Sequence, residues 1–329
     1  MKIKIVRKGR QGALSRIHRG YEFVDDSACE DYDWLVVFDE MPDEDRGTFR
    51  GGCERLACPV ERTVLCTWEP TSVKNYSSVY TRQFGHYLSN RPPAAENHPH
   101  HRWGRGYYLW FLGRSYDEAE NTVIPPKTKT ISSVCSSKKM RRTKHYARFR
   151  LTEELMKTVP GMEWYGHGVR GFDRKYEVMD PYRYHVAVEN HIAPGHWSEK
   201  IADPILSECL TFYAGDPDLG KVLPPDSFIP IPIDDPAEAA RIINAAIASD
   251  EYSRRREAVL EAKRLILEKY NFWDQVIGLV ESCADQRVSP VDPADPVRIY
   301  ARKALRTRSP LAALEEAFGH VRLWLGIYR

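Results

Sequence analysis

The apolar positions of this chain fall into short β-branched and aromatic runs separated by polar turns marked by proline or glycine. Between them there is room for helices, which is the layout of a parallel α/β sheet. Met1 to Val6 alternates like a first strand and leads into a basic, glycine-containing stretch, Arg7 to Arg19. Asp33 to Asp39 (DWLVVFD) and Thr63 to Trp68 (TVLCTW) read as buried strands. A second set follows. Thr130 to Cys135 reads as an opening strand, Leu151 to Val159 as helix, and Trp164-Tyr165-Gly166 as strand and turn. Tyr184 to Val188 and Thr211 to Ala214 are two further strands, the latter broken by Gly215-Asp216-Pro217. Ser198 can cap a helix that starts around Glu199-Lys200 and buries Ile201, Ile205 and Leu206. Asp235-Pro236 starts an alanine-rich helix, and Asp250 to Val280 supports two more amphipathic ones.

This order predicts two α/β domains. The linker candidate is Val123 to Thr130, with its paired prolines and polar flanks. Residues 1–126 would form an N-terminal domain whose aromatic end is His98 to Phe111, and residues 127–285 a second domain. Residues 286–329 would form a proline spacer and a basic amphipathic tail. At 329 residues the chain has room for two ordinary cores. A formal net charge of +2 gives no global case for nucleic acid. Seven cysteines at irregular spacing form no paired framework, and Cys53 with Cys58 form no zinc knuckle. With no leader and no apolar run long enough to span a bilayer, a cytoplasmic protein with reduced thiols is expected.

The chemistry concentrates in residues 184–229. A strand ends in Glu189-Asn190, a helix begins at Ser198-Glu199-Lys200, and a second strand ends at Gly215. Strand ends and helix starts converge on ligands in open α/β sheets. Lysine is unfavourable in the first turn of a helix, so Lys200 points to an anion there.

Val188-Glu189-Asn190-His191, Ser198-Glu199-Lys200, Gly215 and Ser227-Phe228-Ile229 occur in that order. The stretch resembles the donor-binding segment of family 10 glycosyltransferases, the α-1,3/1,4-fucosyltransferases, and weaker similarity extends over roughly two-thirds of the chain. The resemblance implies a GT-B fold, two Rossmann-like domains facing across a cleft. It also implies inverting transfer of L-fucose from GDP-fucose to an oligosaccharide or lipid-linked glycan, in a bacterial-type enzyme. Lys200 would bind the diphosphate and Glu199 the ribose hydroxyls; Glu189 and Asn190 would lie near the donor sugar. Arg148 stands where the family has an arginine on the diphosphate. Thr67 and Glu69 match a Thr-x-Glu whose carboxylate is the proposed general base. Taken alone, Glu69 reads as a surface carboxylate at a strand end; the resemblance turns that reading towards catalysis.

Three departures, Val188, His191 and His196, bear on donor identity. His196 stands where a donor-contacting tyrosine can occur, and a relative using another nucleotide sugar is therefore the nearer alternative. A non-catalytic carbohydrate-binding protein is the farther one. No metal is required, since Arg148, Lys200 and the helix start can neutralise the leaving group, and no Asp-x-Asp motif of the expected kind is apparent beside a donor strand. His98-Pro99-His100-His101 lacks ligand spacing and reads as an acceptor-side loop. The tail, Val297 to Arg329, carries Arg298, Arg302, Lys303, Arg306 and Arg308 ahead of Trp324, Leu325 and Ile327. Two readings stay open for it, peripheral contact with the inner face of a membrane, and docking on the protein or on a partner subunit.

Overall fold

The computed structural model describes residues 1–9, 12–42, 44–45, 47–93, 96–104, 112–140 and 144–325. It divides into two compact units, residues 1–104 with 275–329, and residues 105–274. The first unit begins with β1 (Lys2–Arg7), β2 (Arg16–His18), β3 (Tyr21–Val24), β4 (Trp34–Phe38), β5 (Phe49–Arg50) and β6 (Cys53–Arg55). It continues through β7 (Thr63–Thr67), α1 (Ser78–Thr81), β8 (His86–Ser89) and β9 (His101–Trp103). The second unit holds α2 (Tyr116–Asn121), β10 (Lys129–Val134), α3 (His145–Thr158), β11 (Met162–Tyr165) and β12 (Tyr182–Val188). After these come α4 (Glu199–Leu206), β13 (Leu210–Ala214), β14 (Phe228–Pro230), α5 (Pro236–Ala248), α6 (Glu251–Arg254) and α7 (Arg256–Glu268). The division falls inside α8 (Phe272–Ser282), and β15 (Arg298–Tyr300), α9 (Arg302–Arg308) and α10 (Pro310–Leu325) complete the first unit.

Both units are parallel sheets of the doubly wound kind. The first runs β2-β3-β1-β4-β7-β8-β9, parallel except for the β2–β3 hairpin, and the second runs β11-β10-β12-β13-β14, all parallel. Strands β4 and β7 are buried at every position, which explains their unbroken apolar sequences: helices or loops cover both faces. The expected two Rossmann-like α/β domains are observed, each built on its own parallel sheet. In the first sheet β1 is flanked by β3 and β4, and in the second β10 is flanked by β11 and β12. The topological switch points therefore lie between β1 and β4, and between β10 and β12.

Three expectations are corrected. The boundary is not at residue 126, because α2 belongs with the second unit: Tyr116 donates to the Leu267 carbonyl at 2.9 Å and meets Trp273 edge-on at 5.5 Å. Nor do residues 286–329 form a separate appendage. Arg298–Tyr300 pairs antiparallel with Cys53–Arg55, and Ile299, Leu305 and Ala312 are buried in the first unit's core. Glu315 binds the amide of Ser78 at 2.6 Å and its hydroxyl at 2.7 Å, tying α10 to the start of α1. The tail's basic face is also partly used inwards, since Arg302 pairs with Glu40 at 2.6 Å and Glu316 at 3.0 Å. What α10 exposes is apolar: Leu311, Leu314, Phe318, Val321, Trp324 and Leu325. Among the described residues no helix is long and apolar enough to cross a membrane. Part of the predicted aromatic end (105–111), Arg141 and Arg142 of the basic stretch, and Ile327 and Tyr328 of the tail lie outside the described residues.

Candidate active site

In the second unit the predicted residues gather at the switch point. Strand β12 delivers Glu189 and Asn190 at its C-terminal end, and the chain then loops into α4. Ser198 caps that helix as expected, its hydroxyl accepting the Lys200 amide at 3.3 Å. Glu189 is fully buried; it accepts the Ser198 amide at 3.0 Å and the Ser198 hydroxyl at 2.8 Å. The Tyr213 hydroxyl adds a contact to the same carboxylate at 3.4 Å. Room for this comes from Gly215, where a Cβ would fall 2.1 Å from the Tyr213 hydroxyl and 2.7 Å from Glu189 Cγ.

The Lys200 ammonium lies 3.4 Å from Glu189 Oε2, 3.0 Å from Glu199 Oε1 and 3.1 Å from the Ser198 hydroxyl. It is a held cation whose side chain is still one-fifth exposed. Burial opposes its charge, but Glu189 and Glu199 outweigh that and raise its pKa. Burial likewise opposes ionisation of Glu199, yet Lys200 and Lys175 hold its carboxyl below the usual range. For Glu189 burial prevails and the pKa rises.

Arg148 enters from α3, buried, with Nη2 3.4 Å from the Ser136 hydroxyl on the loop after β10. Among the described residues its Nε and the Asn190 side-chain oxygen are buried without a hydrogen-bond partner. Unpaired buried polar atoms are costly, and two of them at a switch point mark a place a polar ligand can complete. His145, at the start of α3, has its pKa lowered by burial and then by the positive charges of Arg148, Lys138 and Lys200. These cations therefore act on one locus, which is electropositive. His196 is nearly buried and stacks edge-on with His191 at 5.2 Å.

One Asp-x-Asp sequence stands beside a strand of the second sheet. Asp216-Pro217-Asp218 follows β13, but Asp216 turns inwards and accepts the amides of Gly195 and Asp218, both at 2.8 Å. Asp218 pairs with Lys221 at 2.9 Å. Among the described residues no three His, Cys, Asp or Glu side chains are grouped to hold a metal ion. The histidines stay close, with the His100 amide donating to His98 Nδ1 at 3.2 Å, but each has a structural partner: His98 is buried against the Phe84 carbonyl at 3.1 Å, and His101 lies in β9, 2.8 Å from the Ser89 hydroxyl.

Glu69 belongs to the first unit, two residues beyond the end of β7, and is half-buried. Its backbone is fixed by Arg91, whose Nε and Nη2 donate to the Glu69 carbonyl at 3.1 and 3.0 Å. Thr67 is buried against the Tyr87 hydroxyl at 3.1 Å, which makes it structural support for the strand end. The sequence reading missed Arg91, Ser136, His145, Tyr213 and Lys175. Of these, only Ser136 and His145 carried a usable signal, by flanking a basic run beyond a strand.

No protein-family model matches the chain, and no curated protein matches it by sequence. Similar solved structures include an α1,3-fucosyltransferase, 14% identical, with 83% of this chain and 91% of that one covered and a TM-score of 0.46. An α1,3-fucosyltransferase solved with GDP-fucose is 15% identical over 82% and 90% of the two chains, with a TM-score of 0.46. A DNA-modifying β-glucosyltransferase is 9% identical, with 86% and 99% covered and a TM-score of 0.49. Identities this low leave the chemistry to the residues of this chain.

Proposed function

We propose that the chain is a glycosyltransferase that moves L-fucose from GDP-fucose to a glycan hydroxyl with inversion, by single displacement. The observation that carries this is the electropositive switch point of the second unit. Lys200, Arg148 and the capped start of α4 meet there, beside buried polar atoms that lack partners. Such a place suits the diphosphate of a nucleotide sugar: cations and helix N–H groups stabilise the negative charge that grows on the leaving group. Glu199 would accept the ribose hydroxyls. Glu189 is better cast as a positioning residue than as a sugar contact, because it is buried and both its oxygens hold Ser198. Glu69 would take the acceptor proton as the new bond forms. No obligatory metal enters this scheme.

The choice of fucose rests on the resemblance of the motif, and His191 with His196 favours a second reading, another nucleotide sugar. Calorimetric titration with GDP, UDP and their sugars separates the two. Tight binding of UDP sugars with no response to GDP-fucose would overturn the first. The remaining proposal concerns the tail. Both glutamates of α10, Glu315 and Glu316, are bonded to the first unit, and the large side chains the helix exposes are apolar. That face suits an anionic bilayer at the cytoplasmic side and a lipid-linked acceptor. Flotation with anionic liposomes should carry the full chain but not a Phe318→Glu, Trp324→Glu variant. Equal flotation of the two would refute membrane contact through α10.

A further inference from the structure

We infer that the first unit has a binding pocket for an anionic group, a carboxylate or a phosphate, carried by the acceptor. It forms where the C-terminal tail closes over the ends of β1 and β4. The word acceptor rests on the glycosyltransferase reading; the binding of an anion does not.

The place is the first sheet's own switch point, where Lys8 follows β1 and Glu40 follows β4. Here a cavity of about 220 Å³ is lined by Lys8, Glu40, Arg302, Lys303, Arg306 and Glu316, with His320 at its edge. Its size is below the roughly 300–1,000 Å³ of a pocket for a whole drug-sized ligand, so it suits one charged group and the ring that bears it.

Four permanent cations face two carboxylates, and both carboxylates are already engaged. Glu40 meets Lys8 at 2.8 Å, Lys74 at 3.0 Å and Arg302 at 2.6 Å. Burial opposes its ionisation, but these three cations hold its carboxyl down at about 2. Glu316 is taken by Arg302 at 3.0 Å, and Arg306 reaches it only through Nε at 3.5 Å. Lys303 has no ion pair among the described residues, and Lys303 and Arg306 are both exposed. An arginine fork and a lysine, set beside carboxylates that can take no further charge, form an anion subsite. None of this charge is needed to hold the tail. Arg302 does that, bonding Glu40, Glu316 and the Asn75 carbonyl at 3.0 Å.

The test uses the full chain and a Lys303→Ala, Arg306→Ala double variant. Both side chains are exposed, so GDP affinity and melting temperature should match wild type. NMR titrations would compare glucuronate, glucose 1-phosphate and neutral glucose. Wild type should bind one or both anions and not glucose, binding should weaken with added salt, and the variant should lose at least tenfold. Lys303→Arg with Arg306→Lys should restore it. Preference for glucuronate assigns a carboxylate, and preference for glucose 1-phosphate assigns a phosphate. Equal anion affinity in wild type and the alanine variant, or equal binding of glucose, would overturn the pocket. If wild type binds the anion but no nucleotide sugar, the pocket stands and the transferase reading fails.

Discussion

Replacing Lys200 with methionine separates the two jobs its ammonium does. It is the partly exposed cation at the second unit's switch point, and it is also the partner of buried Glu189 at 3.4 Å and of Glu199 at 3.0 Å. A charge-assisted hydrogen bond to a phosphate is worth about 1.5–3 kcal/mol, so GDP affinity should fall roughly 10- to 150-fold. Breaking a buried ion pair costs about 3–5 kcal/mol when the remaining charge is stranded. Glu189 is not wholly stranded: it keeps the Ser198 amide and hydroxyl, and burial already raises its pKa, so it can protonate. The stability loss should therefore fall at or below the lower end, about 3 kcal/mol. A Glu189→Gln, Lys200→Met double variant removes the stranded charge. It should recover most of the stability and none of the affinity. Urea melts give the first quantity and calorimetry with GDP the second. If the single variant binds GDP within twofold of wild type, Lys200 is a structural cation and the assignment fails.

Glu69→Gln should cut turnover by roughly 10²-fold or more while GDP affinity stays near wild type, since a base acts only in the transition state. Full activity at saturating acceptor would remove Glu69 from the mechanism. Chelation with EDTA should leave transfer largely intact; complete inactivation reversed by one divalent cation would sink the metal-free scheme. Acid should weaken the second unit through His185, which is buried with Nδ1 2.8 Å from the Ser132 hydroxyl and has its pKa pushed down by burial to about 3. The unfolded imidazole titrates near 6.5, so its contribution is complete above that pH and is lost as pH falls towards 3. The loss is about 2 kcal/mol by pH 5. Urea midpoints at pH 7 and pH 5 should drop less for His185→Gln than for wild type. An identical drop would show that the titration lies elsewhere.

The candidate site of the second unit was legible where its parts are contiguous in sequence, from residue 189 to residue 200. Glu189-Asn190 ends a strand of seven residues, Ser198 is an N-cap with the expected bond, and Asp235-Pro236 opens α5 as its chemistry predicts. Pairings between distant segments were not legible. Arg298–Tyr300 is too short to announce a strand, and it becomes one only by pairing with Cys53–Arg55. The paired prolines at 125 and 126 suggested a linker because local chemistry marks flexibility. What decides the boundary is the bond from Tyr116 to Leu267, 151 residues away. Arg91 escaped notice for the same reason, since its carbonyl partner lies 22 residues upstream at Glu69.

The two switch points obey one electrostatic rule. At each, cations meet carboxylates: Lys200 meets Glu189 and Glu199, Arg302 meets Glu40 and Glu316, and Arg306 meets Glu316. A lysine or arginine left alone would sample many rotamers, and ordering it on a ligand would cost about 1.5–2 kcal/mol of side-chain entropy. Prior pairing removes much of that cost. It also makes the ligand share the cation with a carboxylate, which limits affinity. Under the proposed transfer a nucleoside diphosphate leaves each cycle, and limited affinity is then an advantage, because product release sets many turnover rates. The same pairing sets these cations, Lys200 in the first turn of α4 and Arg302 and Arg306 in α9, against carboxylates. Their charge is partly offset in the ligand-free chain, and the double variant at Glu189 and Lys200 measures how far.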